Sequence, residues 1–217
     1  MAAHVASQTR SAYIRAATAA AGLIQDPAVV DAWGSPSALP KMTIGALACH
    51  LAGQVLMAPE LLSAPPPAES PIPLLEHYAR ARWVEADLDD EVNVSIRDGA
   101  EVSAQDGPDA LGSRVAGVLD ELPDLLSQTR ALDVVQIPWQ GWSLSVDDFL
   151  VTRMMEITVH SDDLAASVGI PAPELPEDVL APVLGLLVNL SVRRHGQSAV
   201  VRAFSRAERA TETITAF

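Results

Sequence analysis

Glu156 and His160 lie four residues apart in the stretch from Arg153 to Leu164. On an α-helix, residues at this spacing lie one turn apart on the same face. Carboxylate and imidazole groups both bind divalent metals such as zinc. The pair can therefore supply two of the three protein ligands that a metal with one open position requires.

The helix face that carries this pair is polar, although the residues on both sides of it are mostly apolar. We therefore expect the polar stripe to point into the protein, where charged groups must be paired or must bind a metal. Two alternatives stay open, namely a metal site or an internal ladder of ion pairs, Arg153 with Glu156 and His160 with Asp163. The residues of the stripe follow an alternating four-three spacing and fall within roughly 80° of one another on a helix: Phe149, Arg153, Glu156, His160 and Asp163.

His50 is the candidate for a third ligand. It lies within a predicted helix that has no charged residue between Lys41 and Glu60, so we expect its side chain to be buried. The neighbouring Cys49 points about 100° away from it and is interpreted as a core residue. The weaker ligand candidates are His4, at a terminus, and His77 and His195, on helices.

The elements that must position these residues are predicted to be helices. A helix that carries His50 begins after Thr43, which can cap it, and runs to about Leu62. The capping box of Ser145 and Asp148 opens the helix that carries Glu156 and His160. Helical periodicity elsewhere predicts an all-α or mainly α protein, with a helical bundle as its architecture. Other helices are predicted near residues 3–25, 74–104 with a break near 88–90 left open, 109–130, 177–195 and 198–209, and a strand or extended linker at 133–138.

The domain organisation follows from length and from proline positions. A chain of 217 residues is typical of one domain with an appendage. The prolines at 171, 173 and 176 mark a joint, so we expect a bundle over residues 1–170 and a short, mostly helical C-terminal extension over 171–217. Because aromatic residues make up only 4% of the chain, closely packed helices are favoured.

Charge and cysteine content exclude several classes of partner. The net charge of -14 argues against nucleic acid and against anionic membranes. The single Cys49 allows no internal disulfide and is typical of a reducing compartment. The longest apolar run, Val179 to Leu190, is shorter than the roughly 18 residues of a transmembrane helix, and the N-terminus has no signal-peptide pattern. We expect a cytoplasmic protein and leave a homodimer open.

Two segments of the chain resemble motifs of a known family. The segment from Leu39 to Leu51 resembles the "T-v-g-x-L-x-x-H-L" helix of the mycothiol-dependent maleylpyruvate isomerase family, within the DinB-like superfamily. The segment from Thr152 to Ala165 is similar to that family's "R-x-x-E-x-x-x-H-x-x-D-L" helix. Residues 137–142 are also similar, and the resemblance extends over roughly residues 5 to 170.

The resemblance implies a DinB-like four-helix bundle with a divalent metal, usually zinc, at one end of its core. The family's metal ligands match His50, Glu156 and His160. Arg153 and Asp163 match the frame of the same motif and suit a role in orienting the ligands through hydrogen bonds.

The resemblance also implies use of a low-molecular-weight thiol, mycothiol first. A metal lowers the pKa of a bound thiol, and the thiolate can then attack a small electrophilic molecule. Trp139, Trp142 and Met57 are candidates for the mouth of such a site, or for the bundle core. The family's isomerase continues into an α/β domain, whereas residues 171–217 are predicted to be mainly helical. The implied reaction is therefore thiol S-transfer or thiol-assisted isomerisation in general. A metal-dependent hydrolase and a non-catalytic metal-binding or regulatory protein are the alternatives.

Overall fold

The computed structural model of the chain describes residues 2–65, 67, 69–81, 86–128, 132–210 and 213–217, and side chains from residue 8 onward. Helices dominate these residues, and the sheet has two strands, so the predicted mainly α class is confirmed. The elements are α1 (Ala2–Ile24), α2 (Pro27–Asp31), α3 (Ile44–Leu56), α4 (Ala58–Ser63), α5 (Leu74–Arg80), α6 (Glu91–Ala104), α7 (Pro108–Ser127), β1 (Val134–Ile137), β2 (Trp142–Ser145), α8 (Val146–Val168), α9 (Glu177–His195), α10 (Gln197–Ser205) and a 3-10 turn (Ala207–Arg209).

Helices α1, α3, α7 and α8 pack together around the core. Helix α1 packs against α7 and α8, and α3 packs against the same two helices. Helices α6 and α9 also pack against this set, so the pairings agree with a helical bundle, and an exact four-helix bundle remains a prediction. Small side chains let the helix backbones approach closely, since α1 and α3 bury many alanines at their contacts. The alanines with no exposed surface are Ala12, Ala16, Ala17 and Ala20 on α1 and Ala46, Ala48 and Ala52 on α3.

The start of α3 is capped as the sequence predicts. The Thr43 hydroxyl accepts a hydrogen bond from the Ala46 amide, 3.1 Å away. The same hydroxyl and the Thr43 amide donate to the two carboxylate oxygens of Glu101, at 2.9 and 2.8 Å. Glu101 lies on α6, so these two hydrogen bonds tie α6 to the N-terminal end of the helix that carries His50.

The predicted length of this helix and the predicted longest apolar run are both wrong. Helix α3 ends at Leu56, and α4 begins at Ala58 with a proline in its first turn. Ile44–Ser63, rather than Val179 to Leu190, is long and apolar enough to cross a membrane by length and composition. However, 67% of its apolar window is buried inside the protein, because α1, α6, α7 and α8 surround α3. The apolar character of this stretch is therefore that of a helix in the protein core.

A β-hairpin leads directly into α8. The sequence predicts an extended segment only at 133–138; its partner β2 was not predicted. The strands are antiparallel, with Val134 opposite Ser145 and Ile137 opposite Trp142. The Ser145 hydroxyl then caps α8 by accepting from the Asp148 amide at 3.0 Å, as predicted. The helix ends where Gly169 adopts a left-handed conformation at φ 70°, which glycine tolerates without a steric cost.

Helix α9 packs onto the bundle. It lies against α1 and α8, and its apolar face joins the same core. Because α9 shares its buried surface with both helices, its packing does not by itself separate it from the bundle. The division of the chain after residue 170 remains a prediction. The buried core residues of α9 are Val179, Val183, Leu186 and Leu190.

Candidate metal centre

Three side chains with metal-binding chemistry converge between α3 and α8. His50 lies on α3, and Glu156 and His160 lie one turn apart on α8. One potential ligand atom from each residue falls within 4.8 Å of the other two. The His160 Nε2 atom lies 3.2 Å from His50 Nε2 and 3.2 Å from Glu156 Oε2.

The spacing and chemistry of these atoms fit a divalent ion. A tetrahedral zinc ion with bonds of about 2.05 Å holds its ligand atoms about 3.3 Å apart. The two 3.2 Å separations agree with that value. Two imidazole nitrogens and one carboxylate oxygen also form a donor set that divalent zinc and iron both accept.

Asp163 holds the His160 ring from its other side. The Asp163 Oδ2 atom lies 3.0 Å from His160 Nδ1, so a proton on Nδ1 leaves Nε2 free to act as a ligand. Carboxylates in this position orient histidine ligands and raise their basicity. The contact between His160 and Asp163 thus belongs equally to a metal site and to the ion-pair ladder that was the alternative.

The second ion pair of that alternative, between Arg153 and Glu156, is not found in the described part of the chain. The Arg153 guanidinium instead donates through Nη1 to the Gln54 side-chain oxygen and to Met57 Sδ, the latter at 3.5 Å. Its centre lies 5.6 Å from the Phe149 ring, one turn towards the start of α8. Arg153 therefore links α8 to the C-terminal end of α3 through neutral partners, and the Glu156 carboxylate contacts His160 instead.

Gln54 connects this guanidinium to a candidate ligand. Its side chain is 3% exposed, and its Nε2 donates to the His50 carbonyl at 3.0 Å. The main-chain carbonyl of Gln54 accepts a hydrogen bond from the buried Tyr13 hydroxyl at 2.9 Å. A site role for Gln54 was not predicted from the sequence, although an amide one turn after His50 in an apolar helix was the available signal.

Charge–charge contacts hold the three groups in different protonation states. Burial by itself would lower the pKa of His160, but its bonds to Asp163 and Glu156 raise it to about 9. Burial would raise the pKa of Glu156, but His160 and then Arg153 lower it to about 2. Burial and the neighbouring His160 charge lower the pKa of His50 to about 4. Without a metal at neutral pH, His160 is therefore charged, His50 is neutral and Glu156 is ionised. The Nε2–H group of His160 then lies between the two and can donate a hydrogen bond to either.

The remaining sequence candidates lie in different environments. Trp139 lies in the hairpin turn and is 58% exposed. Cys49 lies in the core at 7% exposure, and burial raises the pKa of its thiol to about 11. The Nε2 atom of His195 lies 2.8 Å from the Thr215 carbonyl, at the C-terminal end of α9. The side chain of His4 falls outside the described side chains.

His77 and Trp142 form a pair that was not predicted from the sequence. His77 lies on α5 and is 5% exposed, so its side chain is buried. The Trp142 indole donates to His77 Nδ1 at 3.0 Å, and the two rings meet edge to face. Burial first, and then the Arg153 charge, lower the pKa of His77 to about 4, against an opposing effect of Glu156.

Comparison with protein-family models gives a match. The family model for the mycothiol maleylpyruvate isomerase N-terminal domain matches residues 13–165. Neither the search of curated proteins nor the search of solved structures returned a match. The matched range covers well over half of the chain and contains all three converging residues. The chain therefore belongs to the mycothiol maleylpyruvate isomerase N-terminal domain family.

Proposed function

We propose that this protein is a metal-dependent, thiol-using enzyme that acts on a small electrophilic molecule by thiol S-transfer or thiol-assisted isomerisation. His50, Glu156 and His160 would hold the metal, for which zinc is the first choice, and mycothiol is the first choice of thiol. The observation that carries the proposal is the convergence of the three ligand atoms within 4.8 Å between two packed helices. Family membership supports the choice of thiol.

A bound divalent cation would lower the pKa of a thiol at its open position, so that thiolate forms at neutral pH. The protein's own residues prepare for this. Asp163 holds His160 through Nδ1 at 3.0 Å and so directs Nε2 to the centre. Arg153, whose guanidinium is anchored by Gln54 and Met57, brings a positive charge to the turn of α8 that precedes Glu156. That charge favours a thiolate or an anionic group nearby.

An external thiol is also favoured by the state of the internal one. Cys49 is the single cysteine of the chain, and its thiol is buried in the core with a pKa of about 11. A thiol in that state is protonated at neutral pH and is a poor nucleophile. The nucleophile of the proposed reaction would therefore come from a cosubstrate.

Metal content tests the first half of the proposal. The purified protein, kept free of chelators, should contain about one divalent metal ion per chain by mass spectrometry of the elements. His50→Ala and His160→Ala should each lose most of it, since two ligands rarely retain zinc. His195→Ala, which removes a histidine at the end of α9, should keep it. Wild-type protein without stoichiometric metal would refute the proposed centre.

Cobalt substitution tests the second half. When mycothiol is titrated into cobalt-loaded protein, we expect a thiolate-to-cobalt charge-transfer band that saturates. The same titration with a thiol-free inositol glycoside should leave the spectrum unchanged. Stoichiometric metal without any response to mycothiol would contradict thiol use and would favour a hydrolase or a non-catalytic metal-binding protein.

A further inference from the structure

The charge of this chain is distributed unevenly. Five of its 14 lysine and arginine residues lie within residues 193–209, a stretch that contains one acidic residue, Glu208. Because the net charge of the whole chain is -14, the remainder is more acidic than that value indicates. The last turn of α9 and the whole of α10 therefore form a basic region on an acidic protein. The five basic residues are Arg193, Arg194, Arg202, Arg206 and Arg209.

Helix α10 exposes apolar side chains beside these charges. Phe204 is 68% exposed and Val201 is 54% exposed, whereas the adjacent Val200 is buried. Because Val201 and Phe204 lie three residues apart, they are neighbours on the outer face of the helix. Arg202 is exposed as well and has no ion-pair partner in the part of the chain that the structure describes. Aromatic residues and arginine are the types enriched at protein–protein interfaces, so we call these three residues the α10 surface.

Helix α6 combines exposed apolar groups with the opposite charge. Residues 87–124, which include it, carry eleven acidic residues and two basic ones. Glu91, Asp98 and Val102 follow one another at spacings of seven and four residues, so they lie on one face of α6. All three are exposed, and Val102 is 65% exposed. The buried Ala100 lies on the opposite side of this helix, which packs against α3. We call Glu91, Asp98 and Val102 the α6 stripe.

The carboxylates of the α6 stripe are available to an external cation. Asp106, which follows α6, pairs with Arg114 at 3.6 Å. Glu91 and Asp98, in contrast, have no ion-pair partner among the described residues. A guanidinium can bind a carboxylate through two parallel hydrogen bonds, which fixes the orientation of the two groups as well as attracting them.

The α10 surface and the α6 stripe are complementary in charge, and each carries exposed apolar side chains. Among acidic partners, a second copy of the chain is one whose matching surface the structure itself displays. Both copies are acidic overall, so the attraction must come from close contact of the two surfaces rather than from long-range steering. Within one copy the two surfaces lie on helices with different neighbours, since α6 packs against α3 and α10 packs against α9.

We propose that the α10 surface of one copy docks onto the α6 stripe of a second copy. Arg202 meets the carboxylate of Asp98, and Phe204 and Val201 cover Val102. Because the two surfaces differ, the contact is heterologous, and every copy can offer both of them. Neither surface contains a residue of the candidate metal centre, so this association is independent of metal and thiol binding.

Sedimentation velocity of the full chain measures this association. The weight-average mass of the wild-type protein should rise above that of the monomer between micromolar and millimolar concentration. Phe204→Ser should weaken the association about ten-fold or more, the effect of losing an aromatic anchor from an interface. Leu75→Ser, which removes an exposed apolar side chain from α5, should leave it unchanged.

Charge reversal identifies the two surfaces that meet. Arg202→Glu and Asp98→Arg should each weaken self-association at least ten-fold, because each places like charges across the contact. An equimolar mixture of the two variants should associate again, since the reversed α10 surface of one then meets the reversed α6 stripe of the other. Both positions are exposed, and circular dichroism of each variant checks that its helix content is unchanged.

Three results would overturn the proposal. The first is a wild-type protein that stays monomeric over the whole concentration range. The second is self-association that both single charge reversals leave intact, or that the mixture does not restore, because the contact would then lie elsewhere. The third is a monomeric protein that binds anionic lipid vesicles through Phe204, since the α10 surface would then serve a membrane instead of a second copy.

Discussion

His50 and His160 present the same atom, Nε2, to the same point, yet their surroundings hold their pKa values on opposite sides of neutrality. Asp163 and Glu156 stabilise the proton of His160, whereas burial and the charge of His160 keep His50 neutral. A metal must therefore compete with one proton rather than two. The residue scale thus predicts how metal binding depends on pH.

Zinc affinity should rise with pH from 7 to about 9. The metal-free pKa of His160 is about 9, so in this range each bound ion must displace close to one proton, and the affinity should gain up to about ten-fold per pH unit. Competition against a chromophoric chelator at several pH values measures this. Asp163→Asn should lower the pKa of His160 and flatten the slope. An affinity that is independent of pH in the wild type would contradict the assignment of a charged His160.

His77 should make the protein less stable in mild acid. Its pKa is about 4 in the folded protein and about 6.5 when unfolded. The unfolded chain therefore binds more protons between these values, and stability falls as pH drops through that window. Between pH 7.5 and 5 the loss attributable to His77 is on the order of 1–2 kcal/mol.

Urea unfolding of wild type and His77→Gln at these two pH values provides the check. The variant should lose less stability on acidification, because glutamine does not titrate. Some loss should remain, since the pKa of His50 is lowered in the same direction. An equal loss in both proteins would exclude a buried, neutral His77.

At the scale of elements, α3 matters most, because it carries His50 and packs against α1, α6, α7 and α8. Its start is held by Glu101 and by the close approach of Trp33 to Gly45. A side-chain Cβ at Gly45 would lie 2.6 Å from the Trp33 ring. The Trp33 indole cannot move freely, since it donates to the Ala104 carbonyl at 2.9 Å.

Gly45→Ala should therefore destabilise the fold by about 1–3 kcal/mol. The added methyl group would overpack against the Trp33 ring, which can move away only by breaking its hydrogen bond to Ala104. Gly53→Ala on the same helix is a matched control, because nothing lies within 4 Å of its added Cβ. That control should be neutral or more stable by up to about 1 kcal/mol, as alanine favours helices. Chemical unfolding of both variants measures the difference; equal stabilities would show that Trp33 yields without cost.

At the scale of the whole molecule, the C-terminal segment contributes to the bundle's own core. The buried face of α9 lies against α1 and α8, and its opposite face is exposed. Leu186 is 3% exposed, whereas Leu184, two residues earlier, is 54% exposed. The two leucines allow a comparison on one helix.

Leu186→Ala should lower the free energy of unfolding of the whole protein by about 2–4 kcal/mol, the cost of emptying a buried leucine site. Leu184→Ala should change it by less than about 0.5 kcal/mol. Thermal and urea unfolding, monitored by helix content and by tryptophan fluorescence, should show one shifted transition for Leu186→Ala. A separate early transition, with the main one unshifted, would instead make residues 1–170 an independent unit.

The helical class and the inward face of α8 could be predicted because they depend on local patterns. A four-residue spacing places Glu156 and His160 together on any helix, and the apolar run around His50 already marked a core helix. The caps at Thr43 and Ser145 follow from residue type in the same way. Each of these signals acts within one or two helical turns, so tertiary packing does not alter the secondary structure that they predict.

The partners of these residues could not be predicted, because they depend on how separate elements pack. The sequence alone left open whether Arg153 pairs with Glu156; packing of α3 against α8 brings Gln54 and Met57 to the guanidinium instead. The pairing of β1 with β2 and the docking of α5 place Trp142 on His77, 65 residues away in the chain.

By itself, then, the sequence predicted the long helices α1, α7, α8 and α9, the apolar faces, and His50, Glu156 and His160 as candidate metal ligands. Only the tertiary structure decided that their ligand atoms lie within 4.8 Å of one another and that the Trp142 indole donates to the buried His77. The physical reason is range. Helix periodicity and capping are short-range properties of the chain, whereas a site is a set of distances between elements, and packing of the complete core determines those.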